Sequence, residues 1–138
     1  MDTDHLADGL LAATLPAAAW THAAHVGAAH ALVRRLGAEG AAAAFRTAVP
    51  RLNEAHGGVN DDSHGYHETV TVFFIGAVAD CVARGLDAEA TLAELGTAAP
   101  TAYWSAAVLW SVAARRAFVP PDLAEPAFPL PVGDLVGG

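Results

Sequence analysis

Two short segments of this sequence concentrate residues that can bind metals or transfer protons. One reads W-T-H-A-A-H at residues 20–25, and the other reads G-Y-H-E-T at residues 65–69. Imidazole nitrogens together with one carboxylate form a ligand set that suits Zn, Fe, Cu, Ni or Mn. Three protein ligands would leave one coordination position open for a substrate or an activated water, which is typical of catalytic metal sites.

The spacing within the two segments selects the candidate ligands. His22 and His25 are three residues apart and share one face of a helix. His67 and Glu68 each precede an apolar stripe, where a carboxylate is costly unless it is paired or bound to a cation. We therefore predict one divalent transition metal bound by His22, His25 and His67. Glu68 is either a fourth ligand or the general base, and Tyr66 is a proton donor or an orienting group.

Helical patterns surround both segments. Thr21 is suited to cap a helix predicted over 22–36, and Gly37 then ends this helix. A second helix is predicted over 38–55, and Pro50 inside it should kink or split it. A third, predicted over 66–84, is apolar nearly all round and should be central.

Connectivity predicts that the histidines meet at one end of the bundle. Helices joined by short loops alternate in direction, so the first and third helices start where the second one ends. Five of the seven histidines then share that end, and they are His22, His25, His56, His64 and His67. His56 and His64 rank below the other three as ligands. His30 is rotated off the shared face, His5 belongs to a terminal arm, and Cys81 lies about four turns beyond His67.

The composition favours an all-α fold. The 138 residues are 54% hydrophobic, with much alanine, and no clean alternating run indicates strands. We predict a single-domain bundle of four to six helices with an up-and-down core. Residues 1–16 form an arm or short helix, residues 17–119 form the bundle, and the Pro/Gly-rich tail over 120–138 packs on its surface.

The charge narrows the partners. The net charge is −8, from 15 acidic residues and 7 basic ones that are all arginine, which argues against nucleic acid and against an anionic membrane surface. The acidic N-terminus, a single cysteine and the lack of an apolar run of about 18 residues fit a cytoplasmic protein. A small-molecule substrate is the expected partner, and a homodimer is an open alternative.

The motifs also carry a resemblance. Over residues 18–123 the chain resembles an uncharacterised bacterial family of small helical proteins with W-T-H-x-A-H and G-Y-H-E-T motifs. Later matching segments are an aromatic pair at residues 103–104 and A-R-x-x-F-V-x-P-D at residues 114–122. The resemblance supports the choice of site residues but implies no activity. A looser similarity links the chain to DinB-type bundles, which bind a metal through three histidines, although their usual HxxxH spacing is absent here.

These observations predict a small metal-dependent enzyme, a lyase, hydrolase or oxygenase, that acts on a small organic molecule. Arginine without lysine, with abundant Ala and Gly, suggests a GC-rich bacterial genome and hence specialised metabolism. One alternative is a metal-free acid–base isomerase, cyclase or lyase that uses the same His/Glu cluster. Another is a non-catalytic protein that binds a metal or a ligand.

Overall fold

The predicted all-α bundle is confirmed. The computed structural model describes residues 1–132, and part of the predicted tail, residues 133–138, lies outside them. The described chain contains six α-helices and no strand. The helices are α1 (Thr3–Leu11), α2 (His22–Ala55), α3 (Glu68–Ala83), α4 (Ala88–Glu94), α5 (Ala106–Leu109) and α6 (Val112–Arg116), with short 3₁₀ turns at Ala17–Ala19 and Ala99–Ala102.

The long helix α2 consists of two limbs that meet at Gly37. Gly37 has φ 77° and ψ 174°, a backbone conformation that residues other than glycine rarely adopt. A straight helix over α2 would be about 50 Å long. Residues near both of its ends, such as His25 and Asn53, nevertheless line one cavity. The chain therefore reverses at Gly37, and the two predicted helices over 22–36 and 38–55 are these limbs.

The helix is not split at Pro50. Gly37 is the residue of α2 with non-helical dihedral angles, and the helix continues through Pro50 to Ala55. The carbonyl of Pro50 accepts a hydrogen bond of 3.0 Å from the Asn60 amide, which ties the loop after α2 to this turn.

The central helix α3 begins two residues later than predicted. Its first residue is Glu68, because His67 has an extended backbone and caps the helix with its own side chain. Its buried residues include Val72, Phe73 and Val78, which belong to the hydrophobic core. The start of α3 therefore places two neighbouring polar side chains, those of His67 and Glu68, in buried positions on different sides of the helix axis.

Side-chain caps start α2 and α4, and the cap of α2 is the predicted one. Thr21 caps α2 by accepting a hydrogen bond from the backbone N–H of Ala24, and Asp87 caps α4 through the N–H of Ala90. Arg35, near the end of the first limb, binds Asp4 and Asp8 and so holds α1 against α2. These two ion pairs thereby connect α1 to the first limb of α2.

The tail over residues 120–132 packs on the bundle surface, as predicted. It crosses α3 at Gly76, where an added Cβ would come within 2.9 Å of the carbonyl oxygen of Pro129. Phe128 and Leu130 pack against the core, whereas Leu123 is exposed. None of the helices in residues 1–132 is long and apolar enough to cross a membrane.

Candidate functional site

The five histidines assigned to one end of the bundle line a single cavity. This main cavity has a volume of about 840 Å³ and lies between both limbs of α2, the loop after α2, and α3. The histidines in its wall are His22, His25, His56, His64 and His67. Its volume lies in the range of small-molecule sites. Apolar side chains form most of its remaining surface, and they include Trp20, Val26, Phe45, Val49, Val70, Phe74, Ile75 and Val78.

His67 uses both of its ring nitrogens for the fold. Its Nε2 lies 2.7 Å from the carbonyl oxygen of Leu109, and its Nδ1 lies 3.1 Å from the backbone nitrogen of Val70. Since a carbonyl only accepts and a backbone N–H only donates, Nε2 carries the proton and Nδ1 is the acceptor. Burial lowers the pKa of His67, which agrees with a neutral ring. His67 therefore caps α3 and holds α5 against it.

His25 is neutral for a similar reason but keeps one nitrogen free. Its Nδ1 donates to the carbonyl oxygen of Thr21 at 2.7 Å, so Nε2 is an acceptor. Within residues 1–132 Nε2 has no hydrogen-bond partner, and it is not sealed from solvent. The ring stacks on Trp20 with 3.8 Å between ring centroids, and burial lowers its pKa. Both effects hold an unprotonated nitrogen in a defined orientation at the cavity wall.

His22 and His56 each tie a distant loop to the cavity. The Nε2 of His22 donates to the carbonyl oxygen of Leu95, and that of His56 donates to the carbonyl oxygen of Leu15, both at 2.7 Å. Neither Nδ1 has a partner within the described chain, and in the neutral ring this nitrogen is an acceptor. These two rings position loops and still offer one acceptor each.

His64 lies in the loop before α3 and is exposed. Its Nδ1 is 3.0 Å from the Asp61 carboxylate, which also accepts hydrogen bonds from the backbone nitrogens of Ser63 and His64. These hydrogen bonds keep the pKa of Asp61 below its usual value. The carboxylate thus orders the loop that forms one side of the main cavity.

Glu68 and Tyr66 form a second polar group with Arg46, which we call the Arg46 cluster. The Arg46 guanidinium binds both oxygens of Glu68 at 2.7–3.1 Å, and the Tyr66 hydroxyl donates to Glu68 Oε1 at 2.6 Å. Burial and this carboxylate raise the pKa of Tyr66 well above its usual value. The cluster lines a separate hollow of about 310 Å³ with Arg116 and Ala117. Tyr66 also borders the main cavity, whereas Glu68 does not.

The predicted ligand set can be compared with these hydrogen bonds. His22 and His25 each have one free nitrogen, but His67 would have to give up either its cap or its bond to Leu109 to bind a metal. Glu68 is already neutralised by Arg46 on another side of α3. Among residues 1–132, no three His, Cys, Asp or Glu side chains are grouped so as to hold a metal ion. A centre of His22, His25 and His67 would therefore require His67 to give up one of its two hydrogen bonds, and this centre stays a prediction.

Other polar residues behave as expected or had no local signal. His30 is buried away from the main cavity and bonds to the carbonyl oxygen of Leu86 at 3.0 Å, as a structural histidine would. Asn53 follows Phe45 and Val49 at helical spacing, so its position on the cavity face could have been predicted. Arg46 had no such signal, because its partner Glu68 is 22 residues away and on another helix.

No protein-family model matches this chain, and neither a curated protein nor a solved structure matches it. The site is therefore characterised by its own geometry: a largely apolar cavity with free imidazole nitrogens in its wall.

Proposed function

We propose that the main cavity binds a small organic molecule and that His25 accepts a proton from it. The activity would be acid–base chemistry on a carbon acid, as in an isomerase, cyclase or lyase. A cavity of this size with few polar groups is the usual form of a small-molecule site. His25 adds a group that can react.

One observation carries the proposal, and it is the free Nε2 of His25. The atom is an acceptor because Nδ1 donates to Thr21, and burial lowers the pKa of the ring so that it stays neutral at pH 7. Stacking on Trp20 restricts the ring's orientation. A neutral, oriented imidazole beside an apolar cavity has the properties of a general base.

The proton transfer can be written without any further reactant. Nε2 takes a proton from a carbon next to a carbonyl group, so a C–H bond breaks and an N–H bond forms. The electron pair left on carbon delocalises into the carbonyl as an enolate beside the imidazolium. Where the carbonyl compound has a β,γ double bond, the enolate is a dienolate, and return of the proton to its γ carbon completes an isomerisation and restores neutral His25.

Deuterium exchange tests this step without knowledge of the natural substrate. The probe is 2-tetralone, an uncharged bicyclic ketone, incubated with the protein in D₂O and followed by NMR. We expect exchange at the carbons next to the carbonyl to exceed the buffer rate. In His25→Phe, which keeps an aromatic ring, the protein-dependent rate should fall about 100-fold or more, the lower end of the usual contribution of a general base.

The matched control is His5→Ala, since His5 is an exposed histidine outside the main cavity. It should exchange like the wild type. Exchange at the buffer rate in the wild type, or equal rates in wild type and His25→Phe, would contradict the proposal. Binding of the ketone without exchange would favour a non-catalytic ligand-binding protein.

A metal-dependent enzyme is the second candidate, supported by the presence of five histidines in one cavity wall. A metal there would be held by the free nitrogens of His22 and His25, and it would polarise a carbonyl or activate water. Plasma mass spectrometry of protein reconstituted with Zn, Fe, Cu, Ni or Mn tests this. About one metal per chain, lost in His25→Ala but kept in His67→Ala, is the result expected of such a centre.

A further inference from the structure

The charge of the cavity wall restricts the ligand. Among the described residues that line the main cavity, none is Asp, Glu, Lys or Arg. A ligand charge placed inside would lose its hydration and gain no opposite charge, which is strongly unfavourable. The guanidinium of Arg46 is bound to Glu68 and lines the other hollow, and that of Arg115 is bound to the backbone carbonyl oxygens of Gly65 and Tyr66. The part of the ligand that enters the main cavity is therefore uncharged.

The hydrogen-bonding atoms of the wall are mainly acceptors. In His22, His25 and His56 one nitrogen donates to a backbone carbonyl, so in the neutral ring the other nitrogen is an acceptor. None of these three second nitrogens has a hydrogen-bond partner within residues 1–132. Three rings of the wall thus offer acceptors to a ligand.

The donors of the wall are largely engaged within the protein. The amide of Asn53 donates to Asn60, the hydroxyl of Tyr66 donates to Glu68, and the hydroxyl of Thr71 donates to the carbonyl oxygen of His67. Within residues 1–132, the side-chain donors of the wall without a partner are the Trp20 indole, the exposed Thr97 hydroxyl and the second amide hydrogen of Asn53. A ligand that offers hydrogen-bond donors therefore matches this wall better than one that offers acceptors.

Aromatic side chains indicate the shape of the ligand. Trp20, Phe45 and Phe74 lie in the wall, and flat rings pack well against such side chains. Resting on the proposal that the main cavity is the ligand site, we infer that its ligand is an uncharged, ring-containing molecule bearing hydroxyl donors, such as a phenol or an enol. The hydroxyl donates to the free nitrogens of His25, His22 or His56.

Three naphthalene probes separate the ligand's properties, and isothermal titration calorimetry at pH 7.5 measures their binding. 2-Naphthol is uncharged and donates a hydrogen bond, 2-methoxynaphthalene can only accept one, and 2-naphthoate is an anion. We expect 2-methoxynaphthalene to bind about tenfold more weakly than 2-naphthol, because the unmatched nitrogens lose their hydration. 2-Naphthoate should bind more weakly still. Equal or tighter binding of either probe, or no binding of 2-naphthol up to its solubility limit, would overturn the inference.

Variants locate the contact. In His25→Phe the preference for 2-naphthol over its methyl ether should shrink to about threefold or less, and His56→Phe provides a second variant if His25→Phe does not fold. A preference unchanged in both would overturn the assignment of these acceptors. If the preference for 2-naphthol holds while 2-tetralone shows no exchange, the ligand class stands and the proposed catalysis fails. If exchange occurs without the preference for 2-naphthol, the proposed catalysis stands and the inferred ligand class fails.

Discussion

Two polar regions border the start of α3, and they differ in how their hydrogen-bonding groups are used. In the Arg46 cluster, the Glu68 carboxylate accepts from a guanidinium and from a phenol, so its oxygens are satisfied within the protein. In the wall of the main cavity, His22, His25 and His56 each use one nitrogen and keep the other free. The carboxylate of the Arg46 cluster is thus fully bonded within the protein, whereas the cavity wall retains ring nitrogens without a partner.

This difference separates structural from functional residues better than residue type does. His25 and His67 each belong to one of the two short histidine-containing motifs. Both rings are neutral, and both line the main cavity. Only His25 can contact a ligand without breaking a bond of the fold. A site residue is therefore indicated by an atom without a partner rather than by an imidazole or a carboxylate as such.

The largest effect on stability should come from removing Arg46, the more exposed partner of the ion pair in the Arg46 cluster. Arg46→Ala leaves a carboxylate whose side chain is 5% exposed without its ion-pair partner, which should cost about 3 kcal/mol of unfolding free energy. Glu68→Gln leaves the 42% exposed guanidinium in water and should cost about 1 kcal/mol. Urea unfolding followed by circular dichroism measures both. If Glu68→Gln were less stable than Arg46→Ala, the buried Glu68 carboxylate would not depend on Arg46 as described.

Loss of His67 should be the next largest effect. His67→Ala removes the cap of α3 and leaves the carbonyl of Leu109 without its donor, which should cost about 2–3 kcal/mol. His67→Asn can still cap α3 and should cost about half as much. The same urea experiment compares them. Equal stability of wild type and His67→Ala would place His67 with His25, among the residues that the fold does not need.

The pH dependence of stability should come from the neutral histidines. The folded-state pKa values of His25 and His67 are lowered, so their contribution is complete above the unfolded value of about 6.5. It is lost as pH falls below 6.5 toward the folded values, by about 1.4 kcal/mol for each pKa unit of lowering. Unfolding free energies at pH 7.5, 6.5 and 5.5 should decrease in that order.

His25→Phe provides the comparison for that pH series, because its unfolding free energy should change less between pH 7.5 and 5.5 than that of the wild type. The pH range avoids the carboxylates with lowered pKa values, such as Asp61 and Asp122, whose titration lies further down. A steeper dependence in the variant would contradict a neutral His25.

The smallest effect should follow from breaking an exposed ion pair. Arg116 binds Asp62 through two hydrogen bonds, and both side chains are largely exposed. Surface pairs of this kind contribute little, because water and salt screen them. Asp62→Asn should leave the urea midpoint unchanged within error. A clear loss of stability would show that the loop between α2 and α3 is held more firmly than its exposure indicates.

Local sequence signals predicted much of the fold. Thr21 was recognisable as a cap, Gly37 as a break, and the apolar run after His67 as a central helix, because capping, backbone freedom and burial depend on neighbouring residues. A split at Pro50 was not borne out, since α2 continues through this residue to Ala55. The start of α3 was placed two residues early, because a histidine cap is an uncommon signal.

The sequence by itself determined the all-α class, the helix limits near Thr21 and Gly37, and the location of five histidines at one end of the bundle. These depend on local propensity and on connectivity, which the order of residues specifies. Only the tertiary structure decided which nitrogens of those histidines are free, and that Glu68 faces Arg46 rather than the cavity. The partners involved, Leu15, Leu95 and Leu109 through their carbonyl oxygens, are backbone atoms brought in from 40 or more positions away. Every residue has a backbone carbonyl, so a sequence pattern cannot indicate which carbonyl will accept a hydrogen bond from a given histidine. The chemistry of this site therefore depends on packing.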